Sequence, residues 1–288
     1  MTHDTFNALL AASGVAVACA MLSPYVIARR WAFLGEGISH SGFGGAGTAW
    51  MAASIFPALH LNLAWTYAWV IAFSFLAAVA IGWLARRPRL PSDSAIGIFL
   101  VASLAWGFVG QQVYFQKFHQ SPAGFFNLLT GQLEPVSIEY AIGACVIAAA
   151  VAALVWLLHK ELVAYCLEPS LAKASGVRVT LVHYLLLLLL VAAIVTGIRV
   201  VGNLLVTALL VLPAATGNLV SQRSRGVLTV SIAVALAGAW GGIAFASMSP
   251  AFLSTTLPAG ACIVLVMVLC FAAALLRRPI LSLSLGRG

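Results

Sequence analysis

Gly35-Glu36-Gly37-Ile38-Ser39-His40-Ser41-Gly42 sets a carboxylate and an imidazole four residues apart inside a run, Phe33 to Phe56, that is otherwise apolar or small over the length of a membrane crossing. An ionisable side chain at the centre of a spanning helix costs roughly 2.5 to 3.5 kcal/mol on insertion scales, so its presence asks for a function. At i and i+4 the two side chains share one face of a helix, close enough to hold one ion together or to pair with each other. With Arg30 at the interface, a rise of about 1.5 Å per residue carries His40 roughly 15 Å inward, near mid-bilayer.

Outward from this stretch the chain keeps the same character. It is 62% hydrophobic and 8% charged, with a mean hydropathy of +1.06 over 288 residues. A soluble domain carries about 25% charged residues, so the fold class expected is an all-α polytopic membrane protein. A crossing needs about 20 apolar residues, and the runs that meet this are Phe6 to Ile27, Phe33 to Phe56, Asn62 to Ala85, Asp93 to Phe115, Pro135 to Leu158, Thr180 to Gly197, Gly202 to Val220, Leu228 to Met248 and Phe252 to Leu276. The count expected is nine, bracketed by eight and ten. Gly197, Arg199 and Gly202 mark a tight turn inside the nearly continuous run Thr180 to Val220. Met1 to Asn7 lacks Lys and Arg, so the first run reads as a span and not as a cleavable signal.

The net charge of +8 does not point to nucleic acid, because the basic residues cluster between the apolar runs. When nine spans alternate, only Lys117 and Arg199 of the fifteen Lys and Arg fall on one side. The positive-inside rule then places the C-terminus in the cytoplasm and the N-terminus outside. The five cysteines form no CxxC pair and read as small apolar residues. There is no GxxxxGK[ST] loop, so any ATP is bound by another chain, and no HExxH to support an intramembrane metallohydrolase. The chain reads as one transmembrane domain, residues 1–288, with any ATPase activity expected in a separate subunit.

Carboxylate and imidazole suit Zn(II), Mn(II) or Fe(II), and two ligands fit a transit site better than a four-ligand structural one. A salt bridge that only fixes helix packing is the alternative. In the seventh run Asn203 and Thr207 again stand at i and i+4, followed by Pro213, whose freed carbonyl is tolerated where a helix lines a cavity or is buried. Asn203, Thr207 and Pro213 are therefore translocation-path candidates, with ordinary interhelical bonding as the alternative. His159 reads as solvated and His183 as a packing residue. Lys160 to Val177 alternates charged and apolar positions, with Leu162, Tyr165, Cys166 and Leu171 able to share faces of one short amphipathic helix. Gln116 to Glu134 carries Phe125, Phe126, Leu128 and Leu129 and reads as an interfacial or re-entrant segment.

Taken together and in order, these motifs resemble the ABC-3 (ZnuB-like) family of permease subunits of bacterial zinc, manganese and iron ABC importers. The resemblance rests on Arg30, Trp31, Gly35, Glu36, Ser39 and His40, similar to a family stretch usually reading GDALSH. It also rests on SDSAIG at 92–97, on Lys160, Glu161 and Leu162 with Gly176, and on VGNLLVTALLVLPAAT at 201–216. It implies that Glu36 and His40 face the translocation path. It also implies that residues 160–177, with Lys160, Glu161, Glu168 and Gly176, couple to cytoplasmic ABC ATPase subunits. The further partners implied are an extracytoplasmic metal-binding protein and a second permease copy, in the bacterial cytoplasmic (inner) membrane. The cargo expected is zinc first, with manganese or iron as the other candidates, and no cofactor of its own. An ion-gradient driven metal transporter and an ABC permease for a metal chelate are the competing functions. Glu36 departs from the family's aspartate by one methylene, which bears on the ion preferred.

Overall fold

The computed structural model describes residues 3–59, 62–85, 92–122, 138–253 and 257–285, and among them every regular element is helical. The helices are α1 (His3–Ala28), α2 (Leu34–Ile55), α3 (Leu63–Leu84), α4 (Ser92–Phe118), α5 (Ile138–Leu157), α6 (His159–Leu167), α7 (Pro169–Ala174), α8 (Val179–Val201), α9 (Asn203–Val220), α10 (Ser224–Leu253) and α11 (Ala259–Leu285). Nine of these coincide with the nine apolar runs. Seven are long and apolar enough to cross a membrane by length and composition alone: α1, α3, α4, α5, α8, α10 and α11. The other two are α2, whose run carries Glu36, His40 and many glycines and serines, and α9, whose apolar stretch Leu205–Val220 is shorter. The run 123–137, with most of the interfacial segment expected from sequence, lies outside the described residues.

Local chemistry sets the element ends. Asn62 caps α3 by accepting from the Trp65 amide at 3.1 Å. Arg30 adopts φ 58° and closes α1 with the paired bonds Trp31 N to Val26 O, 2.9 Å, and Arg30 N to Ile27 O, 3.0 Å. That is the Schellman stop, here made by a residue that pays for a left-handed backbone. Gly176, at φ 84°, makes the same stop after α7, with Val177 N to Ala172 O at 3.0 Å. The α8 helix continues through Gly197 and Arg199 to Val201, and the chain reverses at Gly202 alone, φ 87°, a conformation that favours glycine.

The alanine-rich α1 forms the axis of the larger core, packing against α5, α8, α9 and α10. On the other flank α2 lies between α3 and α4. A Cβ on Gly47 would stand 2.6 Å from Gly107 Cα and 3.0 Å from Trp106 O, so glycine is what lets α2 and α4 touch backbone to backbone. Two hydrophobic clusters result. Leu34 and Ile38 of α2 join the large core, whereas Phe43, Ala46, Trp50 and Ala53 form a second one with Val70 and Tyr114. The Glu36–His40 turn falls where α2 passes from one core to the other.

The segment 160–177 is two short helices instead of one. Pro169 begins α7, and Glu168 caps it by accepting from the Ser170 hydroxyl at 2.7 Å and the Ser170 amide at 3.4 Å. Proline at this position lacks the amide that would continue α6, so the helix axis changes there. Leu162, Tyr165 and Cys166 share the buried face of α6 as expected, but the break turns Leu171 outward, 67% exposed.

Candidate metal-transit site

Glu36 stands in the first turn of α2 and His40 one turn later, which brings Glu36 Oε1 to 2.7 Å from His40 Nε2. Their side chains keep 35% and 17% of their surface, so an ion can reach the carboxylate while the imidazole is mostly enclosed. The neighbouring serines are satisfied within the helix: Ser39 Oγ donates to Glu36 O at 2.9 Å and Ser41 Oγ to Gly37 O at 2.6 Å. They shape the helix without offering themselves as ligands.

The turn at Gly202 delivers Asn203, the first residue of α9, to this pair. Asn203 Nδ2 lies 3.3 Å from His40 Nε2 across 163 residues of sequence. Thr207 follows one turn along, its hydroxyl donating to Asn203 O at 3.4 Å and its methyl facing Gly35. Glu36, His40, Asn203 and Thr207 are thus brought together. Pro213 is not: it is buried further along α9, where the Ala214 amide donates to Ser23 Oγ of α1 at 3.1 Å. The Ala214 amide, next to the proline, thus bonds to α1, and Pro213 shapes the helix instead of facing the pair. No cluster of three or more His, Cys, Asp or Glu side chains exists among the described residues.

At the α6 end, Tyr and His side chains tie the short helix to the bundle in two places. Tyr25 OH is 2.8 Å from His159 Nδ1, and Tyr165 OH is 2.7 Å from His183 Nδ1. His159, read from sequence as solvated, is a half-buried partner of α1, and burial together with the Arg225 charge holds its pKa below the ordinary histidine value. Arg29 stacks on Tyr165 at 4.6 Å and on Trp31 at 5.5 Å, joining α6 to the turn that leads into α2. Cys166 is buried behind Tyr25, which pushes its thiol up to about 12 although Arg29 opposes the shift. Lys160, Glu168 and Gly176 are exposed, and Leu167 and Leu171 stand out beside them at 76% and 67%. Glu161 Oε2 is buried and has no hydrogen-bond partner. The Tyr25–His159, Tyr165–His183 and Arg29–Tyr165 contacts could not be found from spacing, because in each the partners lie on different elements of the fold.

The model of the ABC 3 transport family matches residues 1–278. The chain belongs to the ABC-3 transport family. It is similar to a probable iron transport system membrane protein of Haemophilus influenzae, 31% identical over 93% of this chain and 92% of that one. It is also similar to the manganese transport system membrane protein MntC of Listeria monocytogenes, 28% identical over 95% of this chain and 90% of that one. Among solved structures, PsaBC from Streptococcus pneumoniae in complex with Fab superposes with a TM-score of 0.75 at 27% identity, covering 95% of this chain and 91% of that one. As an ABC-3 member the chain is a multi-pass membrane permease.

Proposed function

We propose that this chain is the membrane-spanning permease subunit of an ATP-driven importer of a divalent transition metal, working by alternating access around Glu36 and His40. The observation that carries the reading is the 2.7 Å Glu36–His40 pair, reachable by an ion and set on α2 between the two cores. A pair whose members satisfy each other when empty and can open to an ion is suited to passage more than to storage. On binding, Nε2 gives up to solvent the proton it shares with Glu36 in the empty pair, so that the carboxylate and the Nε2 lone pair both turn to the metal while the ring's proton sits on Nδ1.

Carboxylate and imidazole donors suit zinc, manganese and iron(II) alike, and the names of the iron and manganese relatives favour those two ions ahead of the zinc expected first from sequence. The chain acts as a single permease unit, residues 1–288, in the bacterial cytoplasmic membrane, its N-terminus outside and its C-terminus in the cytoplasm, as the basic residues favour. Residues 160–177 take the push of cytoplasmic ATPase subunits. Lys160, Glu161 and Glu168 with exposed Leu167 and Leu171 form the contact, and Gly176 fixes the exit of the chain into α8. The Tyr165–His183 bond and the Arg29 stack carry that displacement toward α2. An extracytoplasmic metal-binding protein supplies the ion, and a second permease copy completes the pore.

Uptake of radioactive manganese into vesicles tests this. Uptake that requires ATP, the ATPase and the binding protein is expected. Uptake driven by an ion gradient without ATP would overturn it.

A further inference from the structure

Asn203 is 5% exposed, and its Oδ1 is buried without a hydrogen-bond partner. Its Nδ2 faces His40 Nε2 at 3.3 Å, the same nitrogen that Glu36 Oε1 approaches at 2.7 Å. One ring nitrogen cannot serve both. If Nε2 carries its proton toward Glu36, the amide N–H meets another donor; if Nε2 is bare, the carboxylate loses its donor. The amide's oxygen and nitrogen ends exchange by a half-turn about its last bond, and assignment between them follows the partners present. With the oxygen turned inward, three donors converge: a carboxylate oxygen, an imidazole nitrogen and an amide oxygen. Donors at about 2.1 Å from one octahedral ion stand roughly 3.0 Å apart, and the observed 2.7 and 3.3 Å bracket that spacing.

We infer that Asn203, through Oδ1, is the third protein ligand of the transit site and tilts it toward Mn(II) and Fe(II) over Zn(II). The inference rests on the reading of Glu36 and His40 given above. Affinity at nitrogen and oxygen sites rises from manganese toward zinc, so a site that carries manganese must gain from ligand type and number. A neutral, hard oxygen adds to the count an octahedral ion needs, whereas zinc is content with four donors.

The test is titration of the purified permease–ATPase complex in detergent with manganese(II) chloride and with zinc(II) chloride, comparing wild type, Asn203→Ala, Asn203→Asp and Glu36→Gln. Asn203→Ala is expected to weaken manganese on the order of tenfold or more, the loss typical even of a group behind a ligand, and to lower the manganese-to-zinc affinity ratio. Asn203→Asp, which keeps a hard oxygen, is expected to restore manganese binding. Asn203→Val, which carries no donor atom, replaces alanine with the same expectation if alanine at this buried position prevents assembly. An unchanged ratio in the alanine or valine variant while Glu36→Gln loses metal overturns the role of Asn203 and leaves the transit site standing. Wild-type binding in Glu36→Gln overturns the site itself and this inference with it.

Discussion

The Tyr165 hydroxyl lies 2.7 Å from His183 Nδ1, and through that bond the short helix α6 is fastened to the spanning helix α8. Both residues are buried, and removing one partner of a buried hydrogen bond costs about 1 to 3 kcal/mol. Tyr165→Phe keeps the ring and its stack with Arg29 but loses the bond. It should leave the complex able to hydrolyse ATP while metal uptake per ATP falls several-fold, measured on the same reconstituted preparation. An unchanged ratio would show that α6 transmits nothing through this contact.

The Tyr25–His159 bond fastens the other end of α6 and should respond to acid. His159 has a lowered pKa in the docked state, from burial first and Arg225 second. As pH falls through the ordinary histidine value, about 6.5, a detached α6 takes up the proton before the docked one does. Docking is therefore complete above that value and weakens as pH drops through it toward the lower docked value. His159→Gln should remove this acid sensitivity, read as the pH dependence of uptake per ATP between pH 7.5 and 5.5.

Cys166 gives a direct probe of the same docking. Its thiol is pushed up to about 12 and is 7% exposed, so thiolate chemistry is suppressed while α6 is seated. In a variant with Cys166 as the remaining cysteine, maleimide labelling at pH 7.5 should be slow, and Tyr25→Phe or Tyr165→Phe should accelerate it. Fast labelling of the parent would contradict the packing of α6 described here.

Gly47 and Gly97 give opposite expectations on helices that touch. A methyl at Gly47 meets the α4 backbone at 2.6 Å and nothing there can yield, so Gly47→Ala should destabilise by about 1 to 3 kcal/mol and reduce the yield of assembled complex. Gly97 has open space around its missing Cβ, so Gly97→Ala should be neutral or gain up to about 1 kcal/mol from helix propensity. Thermal unfolding of the two purified variants separates these outcomes.

The nine helices that match the apolar runs were legible because each is a local property, a mostly apolar or small run near the length the bilayer sets. The Glu36–His40 pair was legible for the same reason, since i and i+4 meet within one helix. Asn203 could be singled out by its own helical spacing, but its approach to His40 depends on the Gly202 reversal and on how α9 packs beside α2, which no window of sequence contains. The break at Pro169 was written in the chain, yet the alternation of charged and apolar residues across it mimics one continuous helix. His159 read as solvated because Tyr25, its partner, is 134 residues away.

Radioactive manganese uptake by proteoliposomes containing the permease, its ATPase and the binding protein tests the central claim most directly when Glu36→Ala and His40→Ala are compared with wild type. Both variants are expected to assemble with the ATPase and to lose ATP-dependent uptake. Wild-type uptake in either variant would contradict the account.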